Sequence, residues 1–145
     1  MQLDGFSFWK VQSNVERLKE ELPVLLANQA ENYFVSSWRK NGWDGNQWAE
    51  VQRRMSPTKA YKYATPADRT RHILVKTGTL RRAVGQLVRS ISFEQSRLVA
   101  DVPYAGYLND GTDKMPARPF MKDSPILREK QIDLINKEIT KVWQI

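Results

Sequence analysis

From Asn14 to Arg39, the residues Val15, Leu18, Leu22, Leu25/Leu26, Phe34 and Trp38 recur at the three- and four-residue spacing of one helix face. The pattern predicts a long amphipathic helix. Ser13 or Asn14 offers a capping oxygen at its start, and Glu16 places negative charge in the first turn. Pro23 interrupts the run. A proline there has no N–H to donate and crowds the preceding turn, so the segment is one kinked helix or two, with Pro23 in the first turn of the second. Ahead of it, Phe6, Phe8 and Lys10 alternate. Residues 1–12 therefore read either as a short strand or as a flexible N-terminal arm that covers the domain or a neighbouring subunit. At the other end, Ser124-Pro125 has the form of an N-cap followed by proline at the first helical position. Leu127, Ile132, Ile135, Ile139 and Val142 or Trp143 give that C-terminal helix its apolar face, and a mixed-charge face lies opposite.

The middle of the chain changes period. Leu87, Arg89, Ile91 and Phe93 alternate with Val88, Ser90 and Ser92, and Leu98, Ala100 and Val102 alternate with Arg97, Val99 and Asp101. With Glu94-Gln95-Ser96 as the turn, this predicts a β-hairpin over 86–102. Both of its faces are mixed, so each is expected to be partly covered, one by helices and one by a subunit. His72–Lys76 is a β-prone run. After it, Thr79 is a candidate N-cap for a short helix that turns Leu80 and Val84 inward and stops at Gly85. Tyr104–Asp110 reads as a further short helix with Tyr104, Tyr107 and Leu108 on one face and Gly111 as its stop. Thr112–Met115 is a polar tip. Pro116 and Pro119 then force extended backbone on Met115 and Arg118 and return Phe120 to the core. Arg118 is read as an ion-pair or carbonyl anchor, with an anion site as the alternative.

Segment 41–70 shows no comparable period and reads as a long basic and aromatic loop. Gly42-Trp43-Asp44-Gly45 marks a turn. Trp43 and Trp48 either pin the loop to the core or, with Tyr61 and Tyr63, stack on the bases of a single strand, with Arg53, Arg54, Lys59 and Lys62 facing phosphates. Taken together the elements predict an α+β fold of one domain over 1–145. A small antiparallel sheet, including the hairpin, packs with the long N-terminal helix and the C-terminal helix.

Charge alters this picture more than bulk composition does. The 145 residues carry a net charge of +7, and the thirteen Lys/Arg between Arg39 and Arg97 face only four Asp/Glu, a local net of +9. Such a centre attracts polyanions. There is no cysteine, which removes disulfides and thiolate metal sites. The first residues lack a basic n-region and a continuous apolar run, and no window approaches a membrane span, so neither a signal peptide nor a membrane contact is expected. His72 is the single histidine and has no nucleophile or acid pair beside it. Asp110 and Asp113 lack the further spaced ligands of a calcium loop. No catalytic, cofactor or metal constellation is read, and the protein is expected not to be an enzyme.

Four stretches, taken in order, carry a resemblance: Asn32-Tyr33-Phe34 through Gly42-Trp43-Asp44-Gly45 and Trp48; Lys76-Thr77-Gly78-Thr79-Leu80-Arg81; Val102-Pro103-Tyr104-Ala105 with Gly111-Thr112; and Met115-Pro116-Ala117-Arg118-Pro119-Phe120-Met121. The set, which spans about Asn32 to Ser124, resembles the virion-morphogenesis or tail-completion proteins of tailed phages, including head–tail connector and tail-terminator types. The sequence departs from them at Leu108, where that family often has histidine. The resemblance implies a structural role in the virion, reached from the bacterial cytoplasm during assembly. It implies a ring-like homo-oligomer that meets tail-tube or head-connector proteins and has non-specific DNA contact in the channel. Trp43, Trp48, Arg53, Arg54, Arg81, Arg82, Thr112, Asp113 and Lys114 are the candidate contacts with a partner or subunit. The alternative is a non-specific nucleic-acid-binding module that uses segment 39–97.

Overall fold

The computed structural model describes residues 6–144. In chain order it contains α1 (Phe8–Lys40), β1 (Gly42–Trp43), β2 (Asn46–Gln47), a 3-10 turn (Gln52–Arg54), α2 (Lys59–Tyr63), α3 (Pro66–Thr70), α4 (Thr79–Val84), β3 (Val88–Ile91), β4 (Ser96–Val99), α5 (Ala105–Asp110) and α6 (Pro125–Val142). The fold is α+β, with a long N-terminal helix, a C-terminal helix and two small antiparallel hairpins. Two compact units share the chain. The first takes the chain up to Ala30, Val88–Leu98 and the chain from Ser124 on; the second takes Glu31–Leu87 and Val99–Asp123.

Helix α1 begins at Phe8, ahead of the expected cap. Ser7 caps it instead. Its Oγ accepts from the Lys10 N–H at 3.4 Å and its carbonyl from the Val11 N–H at 3.1 Å. The alternation of Phe6, Phe8 and Lys10 is therefore not a strand, and residues 8–12 of the expected arm are helical. Residues 1–5 of that arm lie outside the described residues. Pro23 sits inside one continuous helix of 33 residues rather than at a break.

In the first unit, Leu22, Ala27, Ala30, Leu127 and Val142 are buried. Asn14 is mid-helix and donates from Nδ2 to the Val142 carbonyl at 3.0 Å, which serves the end of α6. Ser124 caps α6 as expected, accepting from the Leu127 N–H at 3.0 Å. The covered face of α6 differs from the predicted one. Leu127 and Val142 are buried, with Gln131, Leu134, Ile135 and Glu138 half-buried, whereas Ile132, Ile139 and Trp143 are exposed. The β3–β4 hairpin is shorter than 86–102. Its turn closes where the Ser92 N–H donates to the Gln95 carbonyl at 3.0 Å. Val102 leaves the ladder because its N–H turns back to the Ala100 carbonyl at 2.8 Å.

The second unit holds the main hydrophobic cluster: Trp38, Trp48, Val51, Ile73, Leu80, Val84, Val102 and Phe120. Trp38 meets Trp48 edge-on at 5.8 Å and Phe120 at 5.2 Å between ring centroids. β1 and β2 pair with Trp43 opposite Asn46, and the two linking residues Asp44 and Gly45 both have positive φ, 49° and 79°. That geometry matches the right-handed twist of a two-residue hairpin, which is why Asp-Gly suits it.

Segment 41–70 is more organised than a loop. Thr58 caps α2 by accepting from the Tyr61 N–H, and Thr65 caps α3 by accepting from the Asp68 N–H, each at 3.2 Å. Pro66 then occupies a first-turn position. The β-prone run His72–Lys76 forms no strand, because Leu74 takes φ 57° and turns the chain. At α4 the N-cap is Gly78 at φ 80°, and Thr79 is the first helical residue. Leu80 and Val84 are buried as predicted. On α5 the inward residues are Ala105 and Leu108, while Tyr104 and Tyr107 are exposed.

Candidate functional site

The expected contact residues fall into three groups. Trp43 and Trp48 are buried, so neither ring is a surface for a partner. Trp43 stacks on Phe34 at 6.0 Å and meets Tyr33 edge-on at 5.3 Å. Trp48 donates from Nε1 to the Pro119 carbonyl at 2.7 Å. Rings this buried do not present a face for a base to stack on, which argues against the stacking role for these two residues.

Arg53 and Arg54 form the second group. They close the 3-10 turn and reach the C-terminal end of α3, whose last carbonyls have no intrahelical donor. Arg53 donates from Nε to the Asp68 carbonyl at 2.7 Å and from one terminal nitrogen to the Arg71 and His72 carbonyls, both at 3.0 Å. Arg54 donates from Nε to the Arg69 carbonyl at 3.1 Å and also to the Arg71 carbonyl. Cationic donors are favourable at a helix C-terminus, where the peptide dipoles concentrate negative potential. Arg69 in turn donates to the Tyr61 carbonyl at 2.7 and 3.1 Å, with its guanidinium 4.1 Å from the Tyr61 ring centroid. Much of the basic centre thus binds its own backbone.

These acceptors are neutral, so the positive charge persists. Arg71 pairs with Asp68, and Arg54 meets Glu50 at 3.4 Å. Burial lowers the Arg53 pKa from its ordinary value, and the charges of Arg71, Arg54 and Arg118 lower it further. A hydrogen bond from the Thr65 hydroxyl holds the Asp68 carboxyl below its usual range, with the Arg71 charge adding to it.

The third group is presented to solvent. Arg81, Arg82, Thr112, Asp113 and Lys114 are exposed. Arg82 donates to the Thr77 carbonyl at 3.2 Å. Thr112 and Met115 exchange backbone hydrogen bonds of 2.8 and 3.2 Å, which makes the tip a tight closed turn. Gly111 sets its base at φ 77°, and a Cβ there would lie 2.6 Å from the Ala117 nitrogen.

Two residues knit the distant motifs together. Arg118 is buried and donates from Nε to the Ala49 carbonyl at 2.9 Å and from a terminal nitrogen to the Glu50 carbonyl at 3.0 Å. Of the roles open to it, the carbonyl anchor is the observed one. Burial lowers its pKa from the ordinary arginine value. Trp48 reciprocates at the Pro119 carbonyl, so each motif's side chain satisfies the other's backbone. Asn109 was not singled out by the sequence pattern. Its Oδ1 accepts from the Phe120 and Met121 N–H groups at 2.9 and 3.0 Å, and its Nδ2 donates to the Met121 carbonyl at 3.0 Å. An asparagine shortly before a glycine helix stop was the available signal.

Among the described residues, no three His, Asp or Glu side chains gather as a metal would need, and no helix is long and apolar enough to cross a membrane. Comparison with protein-family models, with curated proteins and with solved structures finds no match to this chain. The resemblance to tail-completion proteins therefore rests on its motifs alone.

Proposed function

We propose that this chain is a structural assembly protein of a phage or prophage virion, completing the tail or joining it to the head by self-association and partner binding. The observation that carries the reading is apolar surface left uncovered. Ile132, Ile139 and Trp143 form an exposed stripe on α6, and Val88 and Phe93 are exposed on the β3–β4 hairpin. Each strand of that hairpin has a single neighbour among the described residues, so one edge of each is open to pairing. Several large apolar side chains left exposed on one side of a helix suggest interaction surface. The ordered motifs support the same reading, because their side chains build a scaffold: Trp48 and Arg118 both bind backbone.

The nucleic-acid module is the weaker reading. Its two tryptophans are buried, Arg69 covers the Tyr61 ring, and Arg53, Arg54 and Arg69 are held on carbonyls, which leaves Tyr63 as the exposed ring of that reading. Native mass measurement and negative-stain imaging at high concentration test the assembly reading, with the protein alone and mixed with the tail-tube and portal proteins of its own genome. Rings or a defined complex are expected. A strict monomer that associates with neither protein overturns the reading, and tight, salt-sensitive binding of that monomer to short DNA would put the alternative in its place.

A further inference from the structure

A cavity of about 410 Å³ lies within the second unit. Val51, Leu74, Val75, Leu80, Leu108 and Met115 give it an apolar floor. Arg53, Arg71, Lys76 and Arg118 also line it, and no Asp or Glu does. An aliphatic pocket whose charged lining is wholly cationic is complementary to a ligand that is apolar at one point and anionic beside it.

The cations are only partly neutralised, by Asp68 and Glu50, which act on Arg53, Arg71 and Arg118 from outside the lining. The acceptors of Arg53 and Arg118 are carbonyl oxygens. Arg71 has its carboxylate partner in Asp68, which does not line the cavity, and its Nε is buried with no hydrogen-bond partner. A buried donor left without a partner is costly, and an arriving acceptor relieves it. Burial is the main cause that lowers the Arg53 pKa, and the charges of Arg71, Arg54 and Arg118 add to it; an anion would offset that added repulsion.

We propose that this cavity docks an acidic peptide segment of a partner protein, with a leucine-like side chain on the aliphatic floor and a neighbouring carboxylate against the arginine and Lys76 lining. Nucleic acid fits less well. A phosphate backbone has no side chain for the floor, and Tyr104 is the only ring in the lining. The pocket's role stands without the assembly reading, since it depends on these lining residues alone.

The test is a methyl NMR titration of the full chain with two blocked peptides, acetyl-Leu-Glu-Leu-Glu-amide and acetyl-Leu-Gln-Leu-Gln-amide. The acidic peptide is expected to shift the methyl signals of Val75, Leu80 and Leu108, and to bind about tenfold more tightly than the glutamine peptide. Lys76 is exposed and its side chain makes no hydrogen bond or ion pair among the described contacts, so Lys76→Ala should keep the fold and weaken the acidic peptide several-fold. Equal affinity for the two peptides, shifts confined to other methyls, or no shift at all would overturn the proposal. So would displacement of the acidic peptide from these methyls by a ten-residue oligothymidylate, which would assign the pocket to nucleic acid.

Discussion

Arg118 joins two segments far apart in sequence by donating to the Ala49 and Glu50 carbonyls from a buried position. Methionine at this position keeps much of the stem but leaves both carbonyls without their donor. Hydrogen bonds from charged donors contribute about 1.5–3 kcal/mol each and are not additive, so Arg118→Met is expected to cost roughly 2–4 kcal/mol in urea unfolding. Arg118→Lys should recover only part of this, because an ammonium cannot reproduce the planar fork. A loss under about 1 kcal/mol would refute the anchor. Asp68 gives a pH-dependent counterpart. Its folded pKa is depressed below 3.8, chiefly by the Thr65 hydroxyl, so its contribution to stability is present above that value and is lost as pH falls through the folded pKa. Asp68→Asn should therefore be less stable than the parent at about pH 6, and the gap should close as pH falls below 3.8, as read by urea unfolding at each pH. A gap that is constant with pH would exclude the linkage.

At the scale of elements, two glycines in turns separate strain from collision. Gly45 and Gly111 both have positive φ, 79° and 77°, but a Cβ on Gly45 meets nothing within 4 Å, whereas one on Gly111 falls 2.6 Å from backbone. Gly45→Ala is expected to cost about 1 kcal/mol from the left-handed conformation alone. Gly111→Ala should cost roughly 3 kcal/mol or more, since the Ala117 backbone has to move. Equal losses in thermal or urea unfolding would contradict the packing described at the base of the Thr112–Met115 turn. Such contacts are illegible in sequence, where both positions are simply glycine. What could be read was periodicity. The apolar stripe of α1 was visible, but its start was hidden because Ser7 caps a run that also looks like an alternating strand. α2 and α3 were missed because five residues are too few to show a period, and only Thr58 and Thr65 marked them. For α6 the spacing showed apolar residues without showing which stripe is covered. Leu127, Leu134 and Val142 turn inward with Gln131 and Glu138, while Ile132, Ile139 and Trp143 stay outside. The same limit applied to the candidate contacts. Aromatic and basic residues were legible as a group, but only tertiary structure separates the buried Trp43 and Trp48 from the exposed Arg81 and Lys114.

For the whole molecule, the outward apolar residues of α6 carry the functional argument, and they can be separated from the fold by substitution. Leu127 is buried at 7% exposure, whereas Ile132 and Ile139 are 50% and 43% exposed on the same helix. Were the outer stripe a part of the core, replacing it would destabilise the chain as removal of Leu127 does. Were it an interface, replacing it would abolish association and leave the free chain intact. Leu127→Ala is expected to cost about 2–4 kcal/mol. The double variant Ile132→Lys with Ile139→Lys should change the stability of the dilute protein by no more than about 1 kcal/mol, since exposed substitutions have small effects. It should nevertheless lose any ring or partner complex seen by native mass measurement. Added positive charge opposes self-association of a chain that already carries +7, so a control is needed. Ile132→Ser with Ile139→Ser removes the apolar stripe without altering charge, and it should lose the complex as well. If both double variants retain it, the stripe is not the contact and the open edges of the β3–β4 hairpin become the place to look. If both unfold like Leu127→Ala, the stripe is structural and the uncovered-surface argument for assembly fails.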